Sequence, residues 1–238
     1  MEKEIIRIDG VSKVYRVGDV TFYGLKRIDM TIYRGDFIAI MGPSGSGKTT
    51  LLNIIGLLDR PSSGRVFIDG IDVSALNDRQ LARIRNIKLG FVFQYFNLIN
   101  RLTVLENIEM PLVARGIPKN KRIELAKEAL IRVGGELSWL LKKPLQLSGG
   151  QQQKVAIARA IVGSPEIVLA DEPTGNLDRA SAKTVINTFT ELNKYGHTII
   201  VVTHDPEVAN CTRKIFMIRD GVVVDIRIPE VDKCILKM

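Results

Sequence analysis

Gly42-Pro43-Ser44-Gly45-Ser46-Gly47-Lys48-Thr49 stands between two apolar segments. Phe37-Ile38-Ala39-Ile40-Met41 precedes it and reads as a short strand. Thr50-Leu51-Leu52-Asn53-Ile54-Ile55-Gly56-Leu57-Leu58 follows it, apolar on nearly every face, and reads as a buried helix. Strand, G-x-x-x-x-G-K-T and helix in that order make a P-loop. Its glycines let the backbone curl until successive N–H groups point at phosphate oxygens. Lys48 brings a cation for the β- and γ-phosphates, and the Thr49 hydroxyl is placed for Mg²⁺. The helix N-terminus adds its positive end. The motif implies a nucleoside triphosphate; the purpose of binding it must come from the rest of the chain.

A chain of 238 residues suits one α/β domain, or a core with a small satellite. With 45% hydrophobic and 25% charged residues it has ordinary globular composition, which argues against disorder away from the ends. The net charge of +8 suits an anionic partner, and equally a soluble surface with a mild basic excess. No apolar run approaches the roughly 20 residues of a membrane span. Met1-Glu2-Lys3-Glu4 carries no signal-peptide pattern. Cys211 and Cys234 lack metal-ligand spacing and read as small buried or terminal residues of a cytosolic, reduced protein.

Upstream of the P-loop, residues 4–9, 11–17 and 20–33 alternate, which predicts a small antiparallel sheet feeding the nucleotide strand. Tyr15 ends one of these strands; by pattern it packs on a sheet edge in preference to stacking on a base. Downstream, Arg65–Gly70 reads as a strand, Asn77–Asn86 as a basic helix, and Leu89–Gln94 as a core strand ending on a polar side chain that could reach a metal or a water. Signals from Tyr95 to about Leu147 are helical, with Thr103 and Glu106 in capping-box spacing and Pro111 disturbing or ending a helix. Ile123, Ala126, Leu130 and Val133 share one helix face. These residues form a helical lobe inserted between two core strands.

Ser148-Gly149-Gly150-Gln151 comes next, a capping box with two glycines that leave N–H groups open at a helix start. It reads as a second anion site. Glu166–Glu172 is a buried parallel strand ending in two carboxylates, where α/β sheets gather their ligands. Asp171 suits Mg²⁺, directly or through water. Glu172, facing differently, is placed to act on a water. Thr198–Thr203 is a further core strand, and His204 at its end can meet the same phosphates. Lys214–Ile218 and Val222–Ile228 form a closing hairpin around Asp220-Gly221.

P-loop, Gln94, Leu147-Ser148-Gly149-Gly150-Gln151, Asp171-Glu172 and His204 follow one another in an order that resembles the nucleotide-binding subunits of ABC transporters. The resemblance covers nearly the whole chain, and the Leu-Ser-Gly-Gly-Gln stretch is its specific signal. It implies a P-loop NTPase (RecA-like) α/β core with an N-terminal antiparallel β subdomain and an inserted α-helical lobe. Residues 1–238 would then be one ATPase domain, with 95–154 the helical lobe and 1–94 and 155–238 the β subdomain and core. It implies ATP and Mg²⁺ as cofactors, and it makes Tyr15 the ring that stacks on adenine, reversing the preference from pattern. The phosphates would lie on Ser44–Thr50, Thr50 included. Gln94 would link Mg²⁺ and water to the lobe, Glu172 would be the general base, His204 the γ-phosphate sensor, and Gly175–Asp178 the D-loop region. Ser148, Gly149, Gly150 and Gln151 would cap the γ-phosphate held by a second copy, head to tail.

More narrowly, Gly56–Pro61, Phe91–Ile99, Leu105–Leu112 and Asp171–Asp178 resemble the lipoprotein-release and macrolide-efflux subfamily. Lys154 departs from it, standing where the family usually has Arg; charge is kept and planar, bidentate bonding is lost. The resemblance implies an ATPase on the inner face of the membrane that powers a separate integral permease, with no nucleic-acid partner. The alternatives are a polar amino-acid importer, whose subunits share Phe96-Asn97-Leu98, or a soluble ATPase acting on nucleic acid or in iron–sulfur assembly.

Overall fold

The computed structural model describes residues 3–237. The alternating front of the chain pairs with itself. β1 (Glu4–Val17) and β2 (Val20–Tyr33) form a long antiparallel hairpin. β3 (Phe37–Met41) then crosses into a second sheet, and α1 (Lys48–Ile55) follows it. β4 (Ser63–Ile68) and β5 (Ile71–Asp72) return to complete a four-stranded sheet in the order β2-β1-β4-β5. α2 (Asp78–Lys88) starts at the expected basic segment, with Asn77 and Gln80 closing a capping box, and leads into β6 (Leu89–Phe93).

The helical stretch holds α3 (Val104–Ala114), α4 (Lys119–Arg132) and α5 (Gly149–Ile161). Between α4 and α5 there are only short 3-10 turns at Leu137–Trp139 and Pro144–Gln146, so the lobe is less helical than periodicity predicts. Pro111 neither ends nor breaks α3, which continues to Ala114. It sits in the helix's last turn, where the missing N–H costs a single bond. β7 (Ile167–Asp171), α6 (Arg179–Lys194), β8 (Thr198–Val202), α7 (Pro206–Ala209), β9 (Lys214–Arg219) and β10 (Val222–Arg227) complete the chain. The second sheet runs β10-β9-β3-β8-β7-β6, parallel throughout except for the edge strand β10.

Two cores lie on opposite faces of this parallel sheet. Ile38, Ile40, Ile167, Leu169, Ile200 and Val202 face the antiparallel sheet, with α1 packed between. Their alternating neighbours Val168, Ala170, Ile199 and Val201 face α5, α6 and the lobe. That period of two on a strand buried on both faces explains the continuous apolar runs. α1 buries Leu51, Leu52, Ile54 and Ile55 because both its flanks are covered. Ala126, Leu130 and Val133 of the α4 stripe join Val104, Ile108 and Val155 in the core that continues to Phe189, so the lobe closes on the nucleotide core. Burial of each large side chain contributes about 1.5–3 kcal/mol.

At the amino ends of the parallel strands, Arg34 pairs with Asp69 at 2.6 Å and with Glu166, while Lys88 pairs with Asp69 at 2.8 Å and with Glu166. This network ties the antiparallel sheet, α2 and β7 together. The cysteines require a correction. Cys211 and Cys234 are not independent small residues but a disulfide, with Cα atoms 4.7 Å apart. It fastens the C-terminal turn to the segment after α7, where Ile235 is buried and its N–H donates to the Glu207 carbonyl at 3.0 Å. Nothing in the spacing of the two residues signals this pairing. Among the described residues no helix is long and apolar enough to cross a membrane.

Candidate nucleotide site

β3, β8, β7 and β6 are adjacent and parallel, so their carboxyl ends share one edge. From them emerge, respectively, Gly42–Thr49, His204, Asp171-Glu172 and Gln94. Ligands of open α/β sheets bind at such an edge.

The P-loop turn ends at Gly47, whose φ of 105° makes it left-handed and which supplies no side-chain cap to α1. A β-carbon there would strike the Gly24 carbonyl, so glycine is required. The first N–H groups of α1 are thereby left for an anion. The Ser46 hydroxyl is buried and has no hydrogen-bond partner. An orphaned donor at the centre of the turn is the mark of a cradle built for a phosphate oxygen. Lys48 Nζ spans the cradle and donates to the carbonyls of Gly42 and Pro43, both at 2.9 Å. Tyr15 lies beside the start of α1: a β-carbon on Gly24 would contact both the Tyr15 ring (2.8 Å) and the Thr50 side chain (3.2 Å). Its hydroxyl donates to Asp59 at 3.0 Å, and its ring stacks on Phe22 with centroids 5.4 Å apart. Phe22, half-exposed, is an aromatic neighbour that strand pattern alone does not single out.

Burial raises the Asp171 carboxyl pKa, the neighbouring Glu172 raises it further, and Lys48 opposes both. Glu172 has a left-handed backbone, φ 46°, held by its N–H donating to the Val202 carbonyl at 2.9 Å. Such a conformation costs a non-glycine residue about 1–3 kcal/mol and turns the side chain off the strand direction. Glu172 Oε1 then meets His204 Nδ1 at 2.8 Å. Gln94 Nε2 donates to Asn176 Oδ1 at 3.3 Å, and Asn176 Nδ2 returns a bond to the Gln94 carbonyl at 3.1 Å. Asn176 thus ties the Gln94 loop to the segment after Glu172, a contact without a sequence signal.

Ser148–Gln151 lies elsewhere. Ser148 caps α5 and exchanges the expected capping-box bonds with Gln151, at 3.3 and 3.0 Å. Its neighbours are Phe96, Leu177 and Ser181, not the P-loop. Gly150 also has a packing cause: a β-carbon would come within 2.8 Å of Ser181 Oγ at the start of α6. Asp178 caps α6 by accepting from Ser181 N at 3.0 Å. Lys154 Nζ donates to the Gly134 carbonyl at 2.8 Å, a bond that an ammonium serves as well as a guanidinium. A groove of about 970 Å³ opens between the core and the lobe, lined by Phe91, Phe93, Asn97, Met110, Ala114 and Arg159 among others.

Thr49, Gln94 and Asp171 offer only oxygen donors, which suits Mg²⁺. Among the described residues there is no cluster of three or more His, Cys, Asp or Glu side chains for a softer ion.

A family model described as ABC transporter matches residues 25–175. The chain is 50% identical over 220 residues to the Bacillus subtilis ABC transporter ATP-binding protein YknY, covering 92% of this chain and 95% of that one. It is also 50% identical to the macrolide export ATP-binding/permease protein MacB of Syntrophobacter fumaroxidans, covering 92% of this chain and 31% of that protein. Among solved structures it is similar to the ATP-binding cassette MJ0796, dimeric and bound to ADP and Pi, with a TM-score of 0.88. The two are 44% identical over 94% of this chain and 98% of that one; MJ0796 comes from Methanocaldococcus jannaschii. With the motifs in order, the strand ends converging and the cradle built for phosphate, the chain belongs to the ABC transporter family as an ATP-binding ATPase subunit.

Proposed function

We propose that the carboxyl edge of the parallel sheet binds Mg-ATP and hydrolyses it, and that two copies of the chain close on two nucleotides to drive a membrane permease. The observation that carries the reading is the convergence of the P-loop, Gln94, Asp171-Glu172 and His204 on adjacent strand ends, with Glu172 bonded to His204 at 2.8 Å.

In this reading Tyr15 takes the adenine and the phosphates lie on Gly42–Thr50, with Ser46 and the first amides of α1 as donors. Lys48 leaves the carbonyls of Gly42 and Pro43 for the phosphate oxygens. Thr49, Gln94 and Asp171 would hold Mg²⁺, which supplies positive charge for the transferring phosphoryl group. Glu172 accepts a hydrogen bond from the attacking water and polarises it; His204 fixes the carboxylate and adds a donor near the γ-phosphate. Phosphoryl transfer needs mainly positioning and charge stabilisation, which these groups provide.

Ser148–Gln151 packs beside Phe96, Leu177 and Ser181 and not in the chain's own P-loop, and is suited to cap the nucleotide of a second copy; the related MJ0796 cassette is dimeric in two solved structures. The lobe, residues 95–154, is the part that would move on closure. In this reading the groove between core and lobe seats the permease, and the chain works on the inner face of the membrane. Support comes from its apolar lining beside the Gln94 loop and from relatives that carry ATP-binding and permease parts in one chain.

Glu172→Gln tests the reading. Turnover is expected to fall at least a hundredfold with ATP affinity retained, and an ATP-dependent dimer is expected to accumulate in size-exclusion chromatography. Normal turnover would sink the general-base role, and a monomer under saturating ATP would sink the sandwich.

A further inference from the structure

Phe96 and Asn97 are successive non-glycine residues in the left-handed region, with φ of 60° and 49°. Two in a row is unusual, because each conformation is disfavoured by its own β-carbon. They turn the chain just after Gln94. Both of their carbonyls are held by one side chain from α5: Arg159 Nη2 donates to Phe96 O at 2.9 Å, and Nη1 to Asn97 O at 2.6 Å. Burial depresses the Arg159 pKa with no opposing acidic group, and no carboxylate lies within ion-pair distance among the described residues. Arg159 is half-buried, and a guanidinium that loses part of its hydration without a counter-charge is costly, whereas a structural role on a helix is served more cheaply by an apolar side chain. Its planar fork, however, matches two neighbouring carbonyls as a point charge does not.

The same helix carries a second grip. Gln153, fully buried, donates from Nε2 to the Pro173 carbonyl at 2.6 Å, immediately after Glu172. The Gln94 loop is therefore held at one end by Asn176 and at the other by Arg159. Arg159 and Asn97 also line the groove between core and lobe.

We propose that Arg159 is a positioning residue for Gln94: its fork holds the left-handed pair that turns the chain after Gln94, and so fixes where the Gln94 side chain stands. This inference rests on the proposed placement of Gln94 at the metal and water of the site.

A double-mutant comparison with amide exchange tests it. Arg159→Lys keeps the charge and stem but cannot bridge both carbonyls. ATPase activity is measured for wild type, Arg159→Lys, Gln94→Ala and the double variant over a Mg²⁺ series. In parallel, hydrogen exchange is followed for residues 94–99 in protein free of nucleotide and metal. Arg159→Lys is expected to lower kcat about tenfold with KM for ATP within threefold, and to shift the Mg²⁺ dependence in the same direction as Gln94→Ala. The double variant should be no slower than Gln94→Ala within twofold, and exchange of 94–99 should rise about tenfold while the amides of α5 stay protected. Arg159→Gln, which keeps a single donor, is the second variant, with the same expectation, should the lysine variant fold poorly. Losses that multiply in the double variant, wild-type kinetics in Arg159→Lys, or a loss confined to thermal stability would overturn the inference. A silent Gln94→Ala would instead remove the proposed place of Gln94 in the site, and with it the role of Arg159.

Discussion

Reduction of the Cys211–Cys234 bridge should lower the melting temperature while leaving the nucleotide site working. The bridge closes a loop of sequence separation 23. In the chain-entropy treatment, opening a loop of that size returns about 3 kcal/mol of freedom to the denatured chain at 25 °C. A chain of this length loses about 2–4 °C of Tm per kcal/mol, so the fall should be about 6–12 °C. The folded state has other ties across the same joint. Ile235 is 3% exposed, its N–H donates to Glu207 O at 3.0 Å, and Glu230 N–H donates to Asn210 Oδ1 at 2.9 Å. Those contacts do not depend on sulfur, so the C-terminal turn should remain docked below α7, and ATPase activity at 25 °C should change by less than about twofold. Calorimetric melts with and without a dithiol reductant give the shift. The Cys211→Ser/Cys234→Ser double variant, insensitive to reductant, should melt with the reduced wild type. Two titratable thiols in denatured, unreduced protein, or a wild-type melt indifferent to reductant, would refute the reasoning.

Asp69 gives a prediction with a sign in pH. The Lys88 hydrogen bond chiefly, with that of Arg34, holds its carboxyl at about 2 against the effect of burial. A carboxylate depressed in the folded state stabilises fully above its unfolded value near 4 and loses that contribution as pH falls toward 2, here about 2 kcal/mol. Asp69→Asn should therefore lower stability by about that amount at pH 7 and by about half as much at pH 3 in denaturant titrations; equal losses at both would refute it. Gly90→Ala probes the seam between β6 and α5. A β-carbon there would strike the Ala160 carbonyl oxygen, with the carbonyl carbon at 3.0 Å and Pro165 Cγ at 3.2 Å, none of which can swing away. The melt should fall by the equivalent of about 1–3 kcal/mol, and an unchanged melt would mean that strand and helix separate freely.

What was legible in the sequence is what local chemistry specifies. The P-loop announced itself because glycines, Lys48 and Thr49 must stand at fixed offsets between a strand and a helix. The other strand ends were legible because apolar runs buried on both faces leave a polar residue only where the strand leaves the sheet, as at Gln94, Asp171 and His204. The capping boxes at Thr103 and Ser148 formed as spaced. The parts that stayed hidden depend on which elements meet. Cys211 and Cys234 pair because the tail folds back under α7. Phe22 reaches Tyr15 through the hairpin register that sets the two residues opposite each other. Asn176 and Arg159 act on carbonyls of residues 94–97 from distant points of the chain, and a backbone acceptor leaves no trace in a sequence. Pro111 misled for a related reason: the cost of a helical proline depends on how much helix remains after it.

The protein alone carries several groups whose needs are only half met at one edge of one sheet. Ser46 has a buried hydroxyl without a partner, and Asp171 is pushed toward its neutral form beside a second carboxylate. Lys48 is turned onto carbonyls of its own loop, and Glu172 is held in a disfavoured backbone conformation. Each would be selected against in a purely structural turn, because an unmet buried polar group or a strained residue costs about 1–3 kcal/mol. The cost is tolerable only because the two cores on either face of the sheet hold the strand ends in place. On the proposed reading, a triphosphate with its cation would supply the missing acceptor for Ser46, the anion for Lys48 and the positive charge beside Asp171. The left-handed turn at Glu172 is the one element it leaves unrelieved. That residue is already aimed, through His204, before any nucleotide arrives. On that reading binding would satisfy the cradle while the strain at Glu172 persists, which is what a site needs if it is to hold its nucleotide firmly and still be ready to turn it over.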